Sequence, residues 1–194
     1  MNARREPEWA MVTVLFADIR GFTAFADRST AREAVAYLNE FFGLVVPAVT
    51  GHGGHTHQLL GDGLLAVFEA GDHADRALAA AGEMLVAVEV GMGDRCRMGI
   101  GLNSGLVLVG EIGGELQELA VIGDPVNVAS RVQDATRDLG ERVLMTEATR
   151  ALLENGRDRL QPRGELALKG KSAPVAVYAP QLEAVSLWRP KAES

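Results

Sequence analysis

The chain has 194 residues, 47% of them hydrophobic and 23% charged, which suits one soluble folded domain with a sizeable core. Its 26 acidic residues outweigh 19 basic ones, and the net charge of −7 argues against a nucleic-acid groove. A single cysteine, Cys96, excludes an internal disulfide, and no signal-peptide pattern opens the sequence.

Residues 1–10 are polar and are expected to form a tail or linker. Met11 to Ala17 is apolar on both alternating faces, the mark of a covered central strand. Asp18 follows at its carboxyl end, where α/β-type sheets place ligands, and Arg20-Gly21-Phe22-Thr23 offers consecutive backbone N–H groups that suit phosphate oxygens. Thr30 with Glu33 fits a capping box. Ala31, Val35, Leu38, Phe42 and Val45 then recur at helical spacing, predicting a helix to about Gly51 with Pro47 as a possible kink. His55 to Leu60 and Leu64 to Phe68, joined by Gly61-Asp62-Gly63, predict a hairpin with Asp62 at its tip.

A second helix is predicted from Asp72, burying Ala74, Leu78, Ala81, Leu85 and Val88. Cys96, Met98, Ile100 and Leu102 alternate as a strand; Asn103-Ser104-Gly105 is predicted to turn it, with Leu106 to Val109 returning. The order so far is β-α-β-β-α-β, that of the ferredoxin-like split βαβ unit, a mostly antiparallel sheet with helices on one face. Glu111 to Leu119 is expected as a polar arm. A third helix follows Gly123, with Pro125 in its first turn; its apolar stripe is Val128, Val132, Ala135 and Leu139, and its polar stripe Asn127, Arg131, Asp134 and Asp138. Val143 to Met145 is a short strand, and Thr146 is placed to cap a helix ending at Gly156. Glu165 to Leu168 and Val175 to Tyr178 form a predicted hairpin, and residues 181–194 a tail. The expected class is α+β: a ferredoxin-like βαββαβ core with additional C-terminal helices and strands, spanning residues 11–180.

Four constellations bear on chemistry. Asp18 and Asp62, if their strands are neighbours, make a site for one or two hard cations; Mg²⁺ suits few carboxylates completed by substrate phosphates. Taken alone, they are equally well two turn aspartates that never meet. Asn127 and Arg131 lie one helical turn apart and read as a solvated face unless another protomer covers them. Lys169-Gly170-Lys171-Ser172 is not a P-loop: Gly164 is one residue too far away and no helix follows. His52, His55 and His57 match no closed zinc motif and are expected to be ordinary loop and strand residues.

Phe16-Ala-Asp18-Ile-Arg-Gly-Phe-Thr23, Leu60-Gly-Asp62-Gly-Leu-Leu-Ala-Val-Phe68, Ile100-Gly-Leu-Asn-Ser-Gly105, Val121-Ile-Gly-Asp-Pro-Val-Asn127-Val-Ala-Ser-Arg131 and Lys169-Gly-Lys171 stand in the order of one family. Together they resemble the catalytic domain of the class III nucleotidyl cyclases, the adenylate and guanylate cyclases. The resemblance implies a head-to-tail homodimer with two equivalent sites between protomers. It implies that Asp18, Asp62 and the Ile19 carbonyl bind two Mg²⁺ or Mn²⁺ ions; Gly21, Phe22 and Thr23 stay candidate substrate-binding residues through their backbone N–H groups. It implies that Asn127 and Arg131 of the other chain hold the ribose and the charge developing on the α-phosphate. Lys169 would reach the terminal phosphates. At the family's base-reading positions this chain departs from the pattern: Gln58 replaces a lysine, and Ala120 replaces an aspartate or threonine. The arm between Gly110 and Val121 is a residue short. The expected reaction converts a nucleoside triphosphate, first of all ATP, to its 3′,5′-cyclic monophosphate and pyrophosphate. GTP and pyrimidine triphosphates stay open, as does a non-catalytic nucleotide-binding or dimerising module. With Asn39, Glu40, Glu83 and Glu89 breaking the apolar stretches, no membrane segment is expected; the location is expected to be cytoplasmic, with regulatory domains possible in a longer parent.

Overall fold

A computed structural model describes residues 7–112, 118–168, 170–171 and 173–181 of the chain. Its spine is β1 (Glu8–Ile19), hydrogen-bonded antiparallel to β3 (Gly63–Glu69) on one side and β4 (Met98–Ile112) on the other. β2 (His55–Leu60) borders β3. Beyond β4 lie β6 (Val143–Thr146), which runs parallel to it, then β8 (Val175–Pro180) and β7 (Leu160–Leu166). The order is β2-β3-β1-β4-β6-β8-β7, so the expected βαββαβ core is present with an added C-terminal half-sheet.

Alternate residues of β1 serve two cores, which is why both of its faces are apolar. Leu15, Ala17 and Ile19 pack with Met98, Ile100 and Leu102 under α2 (Ala31–Gly51) and α3 (His73–Met92). Val12 and Val14 face the opposite side with Leu65, Val67, Val107 and Val109, where Ala129 of α4 (Asp124–Asp138) joins them. The helix pair thus covers one face and α4 the other. All five residues expected on the inner side of α3 are buried.

α2 starts where expected, with the Thr30–Glu33 capping box intact. By length and composition alone it is long and apolar enough to cross a membrane. In this fold its C-terminal half finds a partner in α3 instead, burying Phe41, Val45, Ala48 and Val49. The inward stripe therefore begins later than its spacing suggests, and Val35 is 56% exposed.

Two other expectations change. Asn103-Ser104-Gly105 is no turn: β4 runs unbroken for 15 residues, and the chain reverses only in the arm, where β5 (Glu118–Ile122) pairs back onto it. The glycines of β4 have a different cause. A Cβ on Gly101 would lie 2.3 Å from the Gln133 nitrogen and 2.6 Å from the Ala129 oxygen. One on Gly99 would meet Thr136 Oγ1 at 2.2 Å, and one on Gly105 would meet Pro125 Cγ at 2.5 Å. These glycines line the face of β4 on which α4 rests, so helix backbone and strand approach without intervening side chains. The second change is in α5 (Glu147–Arg150), which is capped by Thr146 as expected but lasts a single turn.

Candidate active site

The end of β1 places Asp18 opposite Gly63 on β3 and Gly99 on β4. The β2–β3 loop is Gly61-Asp62, one residue earlier than an Asp-Gly turn predicts. Gly61 takes the left-handed φ of 64°, as a two-residue hairpin with glycine first requires. Asp62 is thereby carried to Asp18. Burial pushes the Asp18 carboxyl up to about 6, and the charge of Asp62 and a hydrogen bond to it add to the rise. A backbone hydrogen bond at Ile19 and the guanidinium of Arg137 act in the opposite direction. Asp18 Oδ1 is buried with no hydrogen-bond partner. Gly63 lies beside it: a Cβ there would stand 3.7 Å from that oxygen and, more tightly, 3.2 Å from the Ala17 carbonyl. Two converging carboxylates with an unsatisfied buried oxygen form a cation-seeking arrangement, short of a complete cage. Among the described residues no cluster of three His, Cys, Asp or Glu side chains is placed to hold a metal. Remaining ligands would have to come from carbonyls, water or a bound anion.

Immediately after Asp18, Ile19 is buried and paired with Met98, so its carbonyl has a fixed place. Gly21 adopts φ 76° and opens α1 (Phe22–Ala26), a conformation that favours glycine. Phe22 anchors this turn by ring contacts with Phe25 and Tyr37, 6.0 and 6.1 Å between centroids. Thr23 is exposed.

Asn127 and Arg131 sit on the polar stripe of α4, Asn127 exposed and Arg131 half-buried, as the spacing predicted. The first turn of α4, which carries Asn127, is not brought to the carboxylates. α4 begins at Gly105, which pairs with Val12, six residues from Asp18 along β1. That separation is about 20 Å of strand. The part of α4 near Asp18 is its other end, where Thr136 overlies Gly99 and Arg137 acts on the carboxyl. Within one chain the acidic pair and the first turn of α4 therefore lie at opposite ends of that helix.

Lys169 lies outside the described residues. Its neighbour Lys171 forms an ion pair with Asp124 at the start of α4, so the β7–β8 connection runs to the Asn127 end of the molecule. β8 follows this connection, and no helix of the P-loop kind does. Gln58 is exposed on β2, beside a bulge between Thr56 and Gln58. Ala120 is buried on β5, opposite Gly110. The histidines remain separate in role: His52 pairs with Glu83 at 2.8 Å, while His55 and His57 stand on β2. Spacing gave no hint of Arg137 beside Asp18, or of Asp124 as the partner of Lys171, because both depend on how α4 docks.

A sequence profile of the adenylate and guanylate cyclase catalytic domain matches residues 5–180. The chain is 32% identical over 183 residues to an adenylate cyclase of Anabaena cylindrica, covering 86% of this chain and 36% of that protein. It is likewise 32% identical over 181 residues to adenylate cyclase 1 of Rhizobium meliloti, covering 86% and 27%. The chain thus spans about a third or less of the length of these relatives. Among solved structures it superposes on the guanylyl cyclase Cya2 with a TM-score of 0.79 at 29% identity, covering 91% of this chain and 94% of that one. It superposes on the adenylyl cyclase CyaB of P. aeruginosa with a TM-score of 0.81 at 26% identity, covering 91% and 96%. With the profile match running almost the length of the described fold, the chain belongs to the adenylate and guanylate cyclase catalytic domains, the class III nucleotidyl cyclases.

Proposed function

We propose that two copies of this chain form a divalent-metal-dependent nucleotidyl cyclase, converting ATP to cyclic AMP and pyrophosphate at sites shared between protomers. The observation that carries this reading is the meeting of Asp18 and Asp62 around a buried, unpartnered carboxylate oxygen. The residues fit a pair of Mg²⁺ or Mn²⁺ ions, held by both carboxylates with help from the Ile19 carbonyl. Such ions supply acidification of the 3′-hydroxyl and neutralisation of the departing pyrophosphate.

The chain's own groups do the rest. Backbone N–H groups at Gly21, Phe22 and Thr23 orient the phosphates. Asn127 of the second protomer fixes the ribose, so that the 3′-oxygen faces the α-phosphorus. The 3′-hydroxyl gives up its proton to water, and a bond forms between those two atoms as the α–β phosphoanhydride bond breaks and pyrophosphate leaves. Arg131 directs its guanidinium at the charge that grows on the α-phosphate oxygens in the transition state. Lys169 neutralises the terminal phosphates. The need for a second protomer rests on the separation within one chain, which leaves Asn127 too distant to serve its own Asp18. Gln58 both donates and accepts hydrogen bonds and reads the base, whereas the Ala120 side chain offers only a methyl group. The protein acts in the cytoplasm, and a longer parent would carry its regulatory input.

Purified protein supplied with ATP, GTP, CTP or UTP and Mn²⁺ tests the assignment. Cyclic AMP should form at least about tenfold faster than any other cyclic nucleotide, and chelation should stop it. A comparable preference for GTP or a pyrimidine triphosphate would overturn the substrate, and no product from any of the four would overturn the enzyme.

A further inference from the structure

The polar residues of β4 that composition assigns to a turn form part of a buried chain of hydrogen bonds. Asn103 is buried on the face of β4 toward α4, and its Nδ2 donates to the Pro125 carbonyl at 3.0 Å, two residues before Asn127. Its Oδ1 accepts from Thr146 Oγ1 at 2.7 Å. Thr146 Oγ1 in turn accepts from the Thr149 backbone N–H at 3.3 Å and lies 3.5 Å from Thr149 Oγ1. Ser104 Oγ donates to Thr149 Oγ1 at 3.0 Å. Thr13 Oγ1 stands 2.7 Å from Ser104 Oγ and 2.7 Å from His73 Nδ1. Every side chain in this series is buried.

Counting protons gives the series one direction. The Ser104 proton is committed to Thr149, so Thr13 must donate to Ser104. Thr13 has then no proton left for His73, and the His73 Nδ1–H must donate to Thr13. At the other end, the Thr146 proton is committed to Asn103 Oδ1. That bond decides which end of the carboxamide faces Pro125: the NH₂ end, which alone can donate to a carbonyl. A reversed amide would set oxygen against oxygen. Aligned bonds of this kind reinforce one another in a low-dielectric interior.

We propose that Asn103 is a positioning residue for cyclisation: oriented by Thr146 and the hydroxyls behind it, its carboxamide fixes the first turn of α4, and with it Asn127 and Arg131, toward the nucleotide on the other protomer. The inference rests on the role given above to Asn127 and Arg131. Gly105 works with it, because its lack of a side chain lets Pro125 settle against the strand. Asn103 touches neither substrate nor metal in this scheme. Its effect should appear in kcat, because Arg131 meets a charge that arises chiefly in the transition state.

The test compares N103D, T146V and T146S with the parent protein in steady-state cyclase kinetics and thermal melts. N103D is nearly isosteric and keeps the acceptor for Thr146, but loses the donor to Pro125. T146V removes the proton that orients the amide, and T146S restores it. The expected result is a fall in kcat of about tenfold or more for N103D and T146V, with KM changed less than about threefold and T146S near the parent. R131A, assayed alongside, separates the two levels of the argument. If R131A retains full kcat, the role of α4 itself is wrong. If R131A fails while N103D and T146V keep the parent kcat, the positioning role is wrong. If N103D does not fold, the T146V and T146S pair decides alone. A loss of activity in T146V that T146S does not reverse also overturns the proposal.

Discussion

At the scale of single residues, Asp18 is held against its own stability. The folded chain keeps a proton on this carboxyl to about pH 6, whereas the ordinary value is 3.8, because burial and the facing Asp62 disfavour the anion. Between those two values the folded state binds more protons than the unfolded state. Stability should accordingly fall as pH rises through that window, and the loss should persist above it. Asp18→Asn removes the charge while keeping the shape. The variant should melt higher than the parent at about pH 7.5 without divalent ions, with the advantage gone near pH 4. Mn²⁺ should raise the parent's melting temperature and leave the variant's unchanged. A variant that melts below the parent at the higher pH would show that Asp18 is not strained. Both aspartates were legible in the sequence, one as a strand end and one as a hairpin tip. Spacing alone left their meeting open and the family resemblance implied it; it is made by β1 and β3 being paired with Asp18 opposite Gly63.

At the scale of elements, periodicity located the three long helices, α2, α3 and α4, and mistook one feature of a strand. Asn, Ser and Gly in succession carry turn chemistry, and nothing local distinguishes a turn from a strand that must admit a helix. The alternation Gly99, Gly101, Asn103, Gly105 was the available signal, since it bares one face of β4. Likewise, the α2 stripe was set one turn too early, as helical spacing reports which residues share a face and not how far α3 extends beneath them. Gly101 is the sharpest test of this docking. A methyl group there meets helix backbone, which cannot swing aside as a side chain would. Gly101→Ala should cost about 2 kcal/mol or more by overpacking. Thermal melting should then fall by about 4–8 °C, given the chain's size. A melting temperature equal to the parent's would mean that α4 does not press on β4 at this point.

At the scale of the whole molecule, the βαββαβ order, the β6 strand and the C-terminal hairpin could be read along the chain, whereas the place of these last strands in the sheet could not. β6 joins β4 in parallel, and β8 then pairs with β6, both pairings made across long stretches of sequence. The same architecture sets the logic of the proposed site. α4 crosses the sheet on the face opposite α2 and α3, with one end near Asp18 and the other carrying Asn127. A head-to-tail pair would bring the acidic end of one copy to the Asn127 end of the next, twice over, by a single two-fold axis. Each copy would give half of two sites.

Complementation between two dead variants tests that arrangement most directly. Asp18→Ala and Arg131→Ala should each lack cyclase activity as homodimers. Mixed in equal amounts and allowed to exchange, half of the dimers are heterodimers, each with one intact site, so activity should return to about a quarter of the parent's. A mixture no more active than its separate components, despite demonstrated exchange of subunits, would contradict a site built from both chains.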